Sequence, residues 1–468
     1  MAQIKFGTDG WRGVIAEDFT FANVQKVALA TGLYFKQHPK IQNGFVIGYD
    51  ARFLSKEFAH TAAQVIASVG VKVLLADKIS PTQTVSLAVV KKKAAGGVVI
   101  TASHNPAKYN GFKIKGDFGG PANPELVAEV EKELAPLQNV SALPIEVKPF
   151  DELVKNKLIQ FIDLTKIYVS DIGTKIEFDL IKATRVKILY DAMHGAGMGI
   201  PELFLPKIGT IRSDYNPSFG TTNPEPLPQN TEELSVEVRS GKYHMGFATD
   251  GDADRVGAVD EKGNFVDSHR IFAILLKYLV ERKHFKGEVA KSLSVTSLID
   301  KMCAQYRLKL NVTPVGFKYL CKLMVEKDII IAGEESGGIA IKGHLPERDG
   351  IFIGFLLAEV MAVRRKKLSE LVKELFNEFG EHHFNRIDKH LTLEQKEKVM
   401  AFFHSNPAKV GSFTVEQIDT TDGVKLSIKN GWMLIRASGT EPIIRFYAEA
   451  DSPKKVQAML KAATSVQR

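Results

Sequence analysis

Four short polar loops carry the side chains of this sequence that could perform chemistry. The first, residues 101–106 (TASHNP), directly follows a glycine-led apolar run that predicts a short buried strand. Open α/β sheets place their chemistry in loops just past strand ends, and Ser103 stands in such a loop with Lys108 and Lys113 within ten residues. A hydroxyl among cations suits a group that carries or meets a phosphate. The alternative is that the polar side chains only cap the next element.

The second loop, residues 249–255 (TDGDADR), places three carboxylates at alternate positions. In extended backbone this spacing aims Asp250, Asp252 and Asp254 the same way. Oxygen ligands separated by small residues suit a hard divalent cation, and Mg²⁺ binds proteins through a few carboxylates together with phosphate or water. Because the three charges would otherwise repel one another, the loop predicts a magnesium site. The alternative is an acidic, solvated turn.

Two further loops could hold a substrate. Residues 333–338 (GEESGG) follow an apolar run and combine adjacent carboxylates with a serine, groups that could accept hydrogen bonds from vicinal sugar hydroxyls. Residues 436–442 (RASGTEP) lie between two predicted strands and combine an arginine, two hydroxyls and a glycine backbone, which is typical of a phosphate cradle. The alternatives are a turn between strands for the third loop and a hairpin turn for the fourth.

Taken together and in this order, the four loops resemble the α-D-phosphohexomutase family, with its active-site serine loop, metal loop, sugar-binding loop and phosphate-binding loop. Residues 5–13 (KFGTDGWRG) also look like the N-terminal motif of that family. The resemblance spans residues 4 to 450. It implies three related α/β domains with mixed sheets and a smaller C-terminal α+β domain, set around one central cleft.

The order of predicted elements divides the chain in the same way. Strands and helices alternate in the first part, which predicts mostly parallel sheets covered by helices. The first predicted junction is residues 141–151, and one helix is predicted after it, over about residues 153–172. The last ~95 residues predict short strands joined by hairpins and a final helix. The predicted domains are an α/β domain with the serine loop (1–150), one with the metal loop (151–257), one with the sugar-binding loop (258–372), and an α+β phosphate-binding domain (373–468).

The resemblance implies a phosphoserine mechanism. Ser103 would be phosphorylated, give its phosphoryl group to the free hydroxyl of the sugar, and recover the other phosphate after the bisphosphate has turned over in the cleft. Mg²⁺ would be held by the Ser103 phosphate and the three aspartates. The residues expected near the transferring group are Arg12, Lys113 and Arg255. Lys113 is a candidate acid, base or charge stabiliser, whereas His104 is expected to be structural.

The same resemblance assigns the substrate contacts. Glu334 and Ser336 match the sugar-contacting positions. Lys318, in the segment GFKY, looks like a further sugar-phosphate contact, and His344 and Arg348 are additional candidates. The site for the non-reacting phosphate matches Arg436, Ser438, Gly439 and Thr440.

Three positions favour glucose as the sugar. Glu335 stands where mannose relatives often have Met and glucosamine relatives Gln, Gly338 stands where both often have His, and Trp11 departs from the Ile usual in glucosamine relatives. The predicted reaction is therefore that of a phosphoglucomutase, which interconverts α-D-glucose 1-phosphate and glucose 6-phosphate, with glucose 1,6-bisphosphate as intermediate and activator. The main alternative is a phosphomannomutase or a dual phosphomannomutase/phosphoglucomutase.

Other functional classes fit less well. The run Asp250-Gly-Asp252 resembles the nucleophile motif of haloacid-dehalogenase-type phosphatases, but that motif usually stands near the N-terminus with Thr or Val where this sequence has Asp254. A non-catalytic sugar-phosphate-binding relative would have lost Ser103 or a metal aspartate, and both are intact.

Composition bounds the remaining possibilities. With 468 residues, 44% hydrophobic and 25% charged, the chain is typical of a globular protein with several domains. Its net charge of +8 is dispersed and no nucleic-acid-binding motif occurs, so the expected partners are small sugar phosphates. The sequence shows no leader and no apolar run long enough for a membrane helix. The two cysteines are expected to be reduced, as in a cytoplasmic protein, and the chain to be a monomer or homodimer.

Overall fold

The structure, a computed structural model, describes residues 3–437 and 443–466. The chain forms four sheets in succession, and helices pack against each of them. This confirms the predicted fold class of three α/β domains with mixed sheets and a smaller C-terminal α+β domain. Within the described ranges, no helix combines the length and the apolarity that a bilayer crossing requires.

The first sheet has six strands and supports the serine loop. Its strands are β1 (Trp11–Val14), β2 (Phe45–Tyr49), β3 (Val73–Ala76), β4 (Gly96–Ile100), β5 (Tyr109–Lys115) and β6 (Ile159–Ile162). They lie in the order β1-β5-β4-β2-β3-β6, with β4, β2, β3 and β6 parallel. The helices of this region are α1 (Phe21–Lys36), α2 (Ser55–Ser68), α3 (Thr82–Lys92), α4 (Pro124–Leu134) and α5 (Phe150–Lys155). The central strands β2 and β4 are buried throughout, because helices cover both faces.

The second sheet supports the metal loop. Its strands are β7 (Ile188–Asp191), β8 (Gly209–Ile211), β9 (Met245–Thr249), β10 (Val256–Asp260) and β11 (Phe265–Val266), in the order β11-β10-β9-β7-β8. The helices are α6 (Leu164–Ile172), α7 (Phe178–Ala183), α8 (Pro201–Phe204) and α9 (Glu232–Glu237). Because β9 and β10 pair antiparallel, the metal loop is the tight connection at the end of this pair.

The third sheet supports the sugar-binding loop, between β14 and β15. Its strands are β12 (Glu288–Ser292), β13 (Leu310–Thr313), β14 (Ile329–Gly333) and β15 (Ile339–Ile341), in the order β13-β12-β14-β15. The helices are α10 (Ser268–Glu281), α11 (Leu298–Tyr306), α12 (Phe317–Glu326), α13 (Gly350–Arg364) and α14 (Leu368–Phe379). Helix α13 is buried almost all round and packs Phe355 against Phe178 and Phe247 of the second domain. The second and third domains therefore share one apolar core.

The C-terminal sheet is antiparallel and has its own core. Its strands are β16 (His383–His390), β17 (Lys409–Val410), β18 (Phe413–Asp419), β19 (Val424–Ile428), β20 (Gly431–Ala437) and β21 (Ile443–Ala450), in the order β16-β21-β20-β19-β18-β17. The helices are α15 (Leu393–His404) and α16 (Pro453–Ser465), and α16 packs on β21.

The single helix predicted over residues 153–172 is wrong, since α5, β6 and α6 occupy that region. Lys157 adopts a left-handed φ of 59°, which breaks the helix, and the Asp163 side chain caps the restart at α6 by accepting from the N–H of Lys166. Because β6 pairs with β3, the first sheet takes in a strand beyond residue 150. The second sheet likewise continues past residue 257, to Val266.

Candidate active site

The serine loop leaves the end of β4 and wraps around the guanidinium of Arg52. Nη1 of Arg52 donates to the carbonyl oxygens of Pro106 and Tyr109 at 3.0 Å each, and Nη2 donates to those of Ser103 and Asn105 at 2.6 Å each. Ser103 has a left-handed φ of 54°, which is uncommon for a residue with a side chain. One buried arginine thus fixes the backbone of the loop through four carbonyl groups.

The metal loop lies directly against the serine loop. Oγ of Ser103 donates to Oδ2 of Asp250 at 2.8 Å, and both side chains are fully buried. The close approach requires Gly251, because a Cβ there would lie 2.4 Å from the carbonyl oxygen of Ser103. Two loops that are almost 150 residues apart in sequence therefore meet at the hydroxyl.

The three aspartates of the metal loop form a buried cluster. One carboxylate oxygen from each of Asp250, Asp252 and Asp254 lies within 4.8 Å of the others. Oδ1 of Asp252 and Oδ1 of Asp254 are buried and have no hydrogen-bond partner among the described residues. Burial, and then the charges of Asp252 and Asp254, raise the pKa of Asp250 well above its usual value. Buried, mutually repelling carboxylates with unpaired oxygens fit a hard divalent cation such as Mg²⁺.

Lys113 lies beside this cluster. Its Nζ is 2.8 Å from Oδ2 of Asp252, 2.9 Å from Oδ2 of Asp9 and 3.3 Å from Oδ2 of Asp254. Burial alone would lower the pKa of Lys113, but the three carboxylates outweigh it and raise the pKa above its usual value. The ammonium group therefore keeps its proton at neutral pH.

Arg348 brings the third domain into the same cluster. Its Nη2 lies 2.8 Å from Oδ2 of Asp9 and 2.7 Å from Oδ2 of Asp254. Asp9 therefore bridges Lys113 and Arg348, which hold its pKa well below the usual value although burial opposes them. Asp9 lies within the N-terminal motif of residues 5–13, but no role was predicted for it.

Two further predicted arginines flank Ser103. Nη1 of Arg12 donates to Oδ1 of Asn105 at 2.6 Å, and the backbone N–H of Arg255 donates to Oδ1 of Asp250 at 3.0 Å. Nε of Arg255 and Nδ1 of His104 are buried without a hydrogen-bond partner in the part of the chain that the structure describes. Burial, with Arg255 and Arg12, lowers the pKa of His104 well below its usual value, so the ring is neutral.

The sugar-binding loop presents Glu334 towards Arg348. Oε1 of Glu334 accepts from the backbone N–H of Gly316 at 2.9 Å, and Oε2 lies 4.0 Å from Nη1 of Arg348. Burial raises the pKa of Glu334 to about 7. Glu335 is held by the third domain, since its carboxylate accepts from the hydroxyl of Ser294. Ser336 follows and is half-buried.

The remaining predicted substrate residues have different surroundings. Lys318 is half-buried in the first turn of α12, with Nζ 5.4 Å from the ring centre of Tyr319. His344 contacts the second and third domains instead of the sugar-binding loop: Nε2 lies 2.8 Å from Oδ2 of Asp349, and Nδ1 lies 3.1 Å from Nζ of Lys175. Its role in substrate binding stays a prediction.

Arg436 is the predicted phosphate-binding residue that the structure describes. It lies near the end of β20 and donates from Nε to Oδ1 of Asp422 at 2.8 Å. Ser438, Gly439 and Thr440 lie outside the described residues.

The loops of the first three domains thus converge on one buried cluster. The predicted residues that lie in it or contact it are Ser103, Asp250, Asp252, Asp254, Lys113, Arg12, Arg255, Arg348 and Glu334. Two residues that hold the serine loop were missed: Arg52, through its four carbonyl contacts, and Asp50, whose Oδ2 accepts from the hydroxyl of Thr101 at 2.6 Å. Both follow the end of β2, the parallel neighbour of β4, so the available signal was polar side chains just past a second strand end.

A serine among arginines, a lysine and a cation-type carboxylate cluster is the constellation of a phosphoryl-transfer enzyme. Comparisons with known proteins agree. The models of phosphoglucomutase/phosphomannomutase match in order: α/β/α domain I over residues 3–140, domain II over 166–263, domain III over 267–379 and the C-terminal domain over 386–464.

Individual relatives match along the whole chain. The phosphoglucomutase/phosphomannomutase of Thermococcus kodakarensis is 30% identical over 97% of this chain and 96% of its own length. The phosphoglucosamine mutase of Carboxydothermus hydrogenoformans is 30% identical over 98% of both. The crystal structure of a putative phosphomannomutase from Thermus thermophilus superposes with a TM-score of 0.86 at 34% identity, covering 99% of both chains. The chain therefore belongs to the phosphoglucomutase/phosphomannomutase family of the α-D-phosphohexomutases and is a mutase.

Proposed function

We propose that this mutase is a phosphoglucomutase, which interconverts α-D-glucose 1-phosphate and glucose 6-phosphate through a phosphoserine at Ser103 and a glucose 1,6-bisphosphate intermediate. The observation that carries the proposal is the contact of the Ser103 hydroxyl with Asp250 of the aspartate cluster, which Lys113 and Arg348 also contact. The preference for glucose is supported by Glu335, Gly338 and Trp11.

In the proposed reaction, the free hydroxyl of the sugar phosphate attacks the phosphorus of phosphoserine. The bond from phosphorus to Oγ of Ser103 breaks as the new bond to the sugar oxygen forms, and the proton of the sugar hydroxyl ends on Oγ, which becomes the hydroxyl of Ser103. After the bisphosphate turns over, Oγ attacks the other phosphate, the bond from that phosphorus to the sugar oxygen breaks, and the sugar oxygen receives the serine proton and leaves as the hydroxyl of the isomeric monophosphate. Each half-reaction moves one phosphoryl group, so the enzyme returns to its phosphorylated state.

The surrounding charges suit this transfer. Lys113 keeps its proton, so we assign it the stabilisation of charge on the phosphoryl group rather than the removal of a proton. Arg12 contacts Asn105 of the serine loop and Arg255 contacts Asp250, so we assign their guanidinium groups to hydrogen bonds with the phosphoryl group. Mg²⁺, when held by the three aspartates and the Ser103 phosphate, would withdraw charge from the transferring group.

We propose that Glu334 and Ser336 bind the sugar, with Lys318, Arg348 and His344 as further contacts. Arg436, with Ser438, Gly439 and Thr440, would hold the phosphate that is not reacting. The buried, free cysteines Cys303 and Cys321 support a cytoplasmic location. A monomer or homodimer stays our expectation.

The second candidate is a phosphomannomutase or a dual enzyme. It is favoured by the names of relatives, because the Thermococcus kodakarensis protein carries both activities in its name and the Thermus thermophilus structure is called a putative phosphomannomutase. Phosphoglucosamine mutases are as similar in sequence, so identity alone does not separate the sugars.

A substrate panel tests the proposal. Glucose 1-phosphate, mannose 1-phosphate and glucosamine 1-phosphate are each supplied with Mg²⁺ and catalytic glucose 1,6-bisphosphate, and isomer formation and inorganic phosphate are measured. We expect the highest kcat/KM for glucose 1-phosphate and no phosphate release above that of the Ser103→Ala control. A higher kcat/KM for mannose or glucosamine phosphate would replace the substrate assignment, and stoichiometric phosphate release would contradict the transfer mechanism.

A further inference from the structure

A single carboxylate, that of Asp422, joins the proposed phosphate site to the sugar-binding side of the cleft. Its Oδ1 accepts from Nε of Arg436 at 2.8 Å, and its Oδ2 accepts from the backbone N–H of Val315, also at 2.8 Å. Arg436 belongs to the C-terminal sheet, whereas Val315 precedes α12 of the third domain. Asp422 therefore binds two domains at once.

The turn that carries Asp422 is shaped for this contact. Gly423, the next residue, has a φ of +77°, in the left-handed region that favours glycine. A Cβ on Gly423 would lie 2.4 Å from the carbonyl oxygen of Ile435 and 3.2 Å from Cα of Arg436. The turn thus packs directly on the strand that carries Arg436, and a larger residue at 423 would move the carboxylate away.

The contact continues into the sugar-binding loop. The residue after Val315 is Gly316, which donates its backbone N–H to Oε1 of Glu334 at 2.9 Å. Hydrogen bonds therefore run from Arg436 through Asp422 and the 315–316 backbone to Glu334. They connect the guanidinium proposed to hold the distal phosphate with the carboxylate proposed to hold the sugar.

We propose that Asp422 is a positioning residue that orients Arg436 for the non-reacting phosphate and couples phosphate binding to the Glu334 side of the cleft. The inference rests on the phosphate-binding role proposed for Arg436. A guanidinium presents its donors in a fixed plane, so a bond at Nε that is itself anchored to Val315 sets the plane in which the other donors meet a phosphate.

The opposite role would be competition, with the Asp422 carboxylate occupying Arg436 in place of the phosphate. The two roles predict opposite effects on the affinity for sugar phosphate. A positioning carboxylate increases the affinity for sugar phosphate. Because the guanidinium is already held in one orientation, it loses less conformational entropy when the phosphate binds. A competing carboxylate lowers that affinity.

Calorimetric titration of the full chain carrying Ser103→Ala, which cannot turn over, separates these roles. Glucose 1-phosphate and mannose 1-phosphate are titrated in parallel, and the tighter ligand is used. We expect Asp422→Asn to weaken binding about tenfold, because a neutral amide replaces a charged acceptor shared by two donors. Asp419→Asn is the matched control: this carboxylate bonds Thr421 in the same connection and should change the affinity by less than about twofold.

A double-mutant cycle then tests whether Asp422 acts through Arg436. In an Arg436→Ala background, Asp422→Asn should weaken binding no further, because the group that it positions is gone. An undiminished loss in that background, or tighter binding by the single variant, overturns the inference. The cycle stays decisive even if Asp422→Asn lowers the melting temperature, since a general folding defect would weaken binding in both backgrounds.

The same data distinguish the failure of this inference from the failure of the proposed function. If Arg436→Ala leaves the affinity unchanged, the proposed phosphate site is wrong and the inference falls with it. If Arg436→Ala weakens binding whereas Asp422→Asn does not, only the inference is overturned.

Discussion

The serine end and the phosphate end of the cleft are built differently. Around Ser103, the side chains of Asp250, Lys113 and Arg348 come from three domains and are almost fully buried, although those of Asp9 and Arg12 remain 17% and 22% exposed. Lys113, Asp9 and Arg348 each contact more than one opposite charge. At the phosphate end, the side chain of Arg436 remains 18% exposed, and its described ion pair is with Asp422 alone. The two ends therefore differ in the number of fixed ion pairs. We expect the chemistry to be preorganised at the serine end, and the one guanidinium that Asp422 orients to meet the phosphate of a substrate bound in either orientation.

Removal of divalent metal should produce the largest loss of activity, and the effect should be concentrated at the serine end. Exhaustive chelation is expected to lower kcat about 10³-fold or more, because the transferring phosphoryl group would lose the charge withdrawal that Mg²⁺ held by Asp250, Asp252 and Asp254 would supply. Activity should return with Mg²⁺. Calorimetry should show that sugar-phosphate binding through the distal end weakens far less. Undiminished turnover in chelator would make the metal loop a structural turn.

Replacement of Arg52 tests how rigid the serine end must be. Arg52→Lys leaves one ammonium group to serve four carbonyl oxygens, so we expect kcat to fall about 10²-fold through misplacement of Ser103. The free energy of unfolding should fall by about 1–3 kcal/mol, since the buried carbonyl oxygens that the ammonium group cannot reach lose their donor. The exposed Arg307→Lys is the control. Parent-like kcat in Arg52→Lys would show that the loop holds its shape without the guanidinium.

At the phosphate end the expected loss is smaller and symmetric. Arg436→Ala should lower kcat/KM about ten- to a hundredfold in both reaction directions, the strength of a charge-assisted contact to a dianion. Phosphorylation of Ser103 by the bisphosphate should persist, as mass spectrometry can verify. Lys429→Ala, an exposed charge in the same domain, provides the control. A loss in only one direction would contradict a site shared by both orientations.

The smallest predicted effect is a change in stability with pH that arises from Glu334, which lies between the two ends. Its pKa is raised from 4.5 to about 7 in the folded protein, so the folded state holds a proton that the unfolded state has released across this range. Stability is therefore lost as the pH rises from about 4.5 to 7. Glu334→Gln should be more stable than the parent at pH 8, by about 1–3 kcal/mol, and as stable at pH 4. Denaturation curves of the variant and the parent are compared at both pH values. The same stability difference at pH 4 and pH 8 would contradict a buried, protonated Glu334.

The sequence predicted the elements whose periodicity is local. Helix α2 spans Ser55–Ser68, as the apolar spacing indicated, and the strands before the serine, metal and sugar-binding loops lie where apolar runs ended in polar residues. The prediction of one helix over residues 153–172 was wrong because strand β6 is too short to give a clear pattern. The position of β6 at the edge of the first sheet depends on pairing with β3, which is distant in sequence.

The same limit applies to the site. Ser103 and the three aspartates could be predicted because each loop has its own chemical signature. Arg52 and Asp9 could not be predicted. Arg52 contacts Ser103, and Asp9 contacts Lys113 and Arg348, only because of the order in which strands and domains are arranged. The surroundings of His344 depend in the same way on Asp349 and Lys175.

The burial of α13 between two domains has a consequence for cooperativity. Because Phe355 packs against Phe178 and Phe247, the second domain cannot unfold without exposing the core of the third. We therefore expect the metal loop and the sugar-binding loop to be lost in one calorimetric transition. The C-terminal domain has a core of its own and, among the described residues, shares only a small apolar cluster around Leu293 and Trp432 with the third domain, so we expect it to melt in a separate transition. On heating, the enzyme would then lose binding of the non-reacting phosphate and phosphoryl transfer at Ser103 in two separate steps.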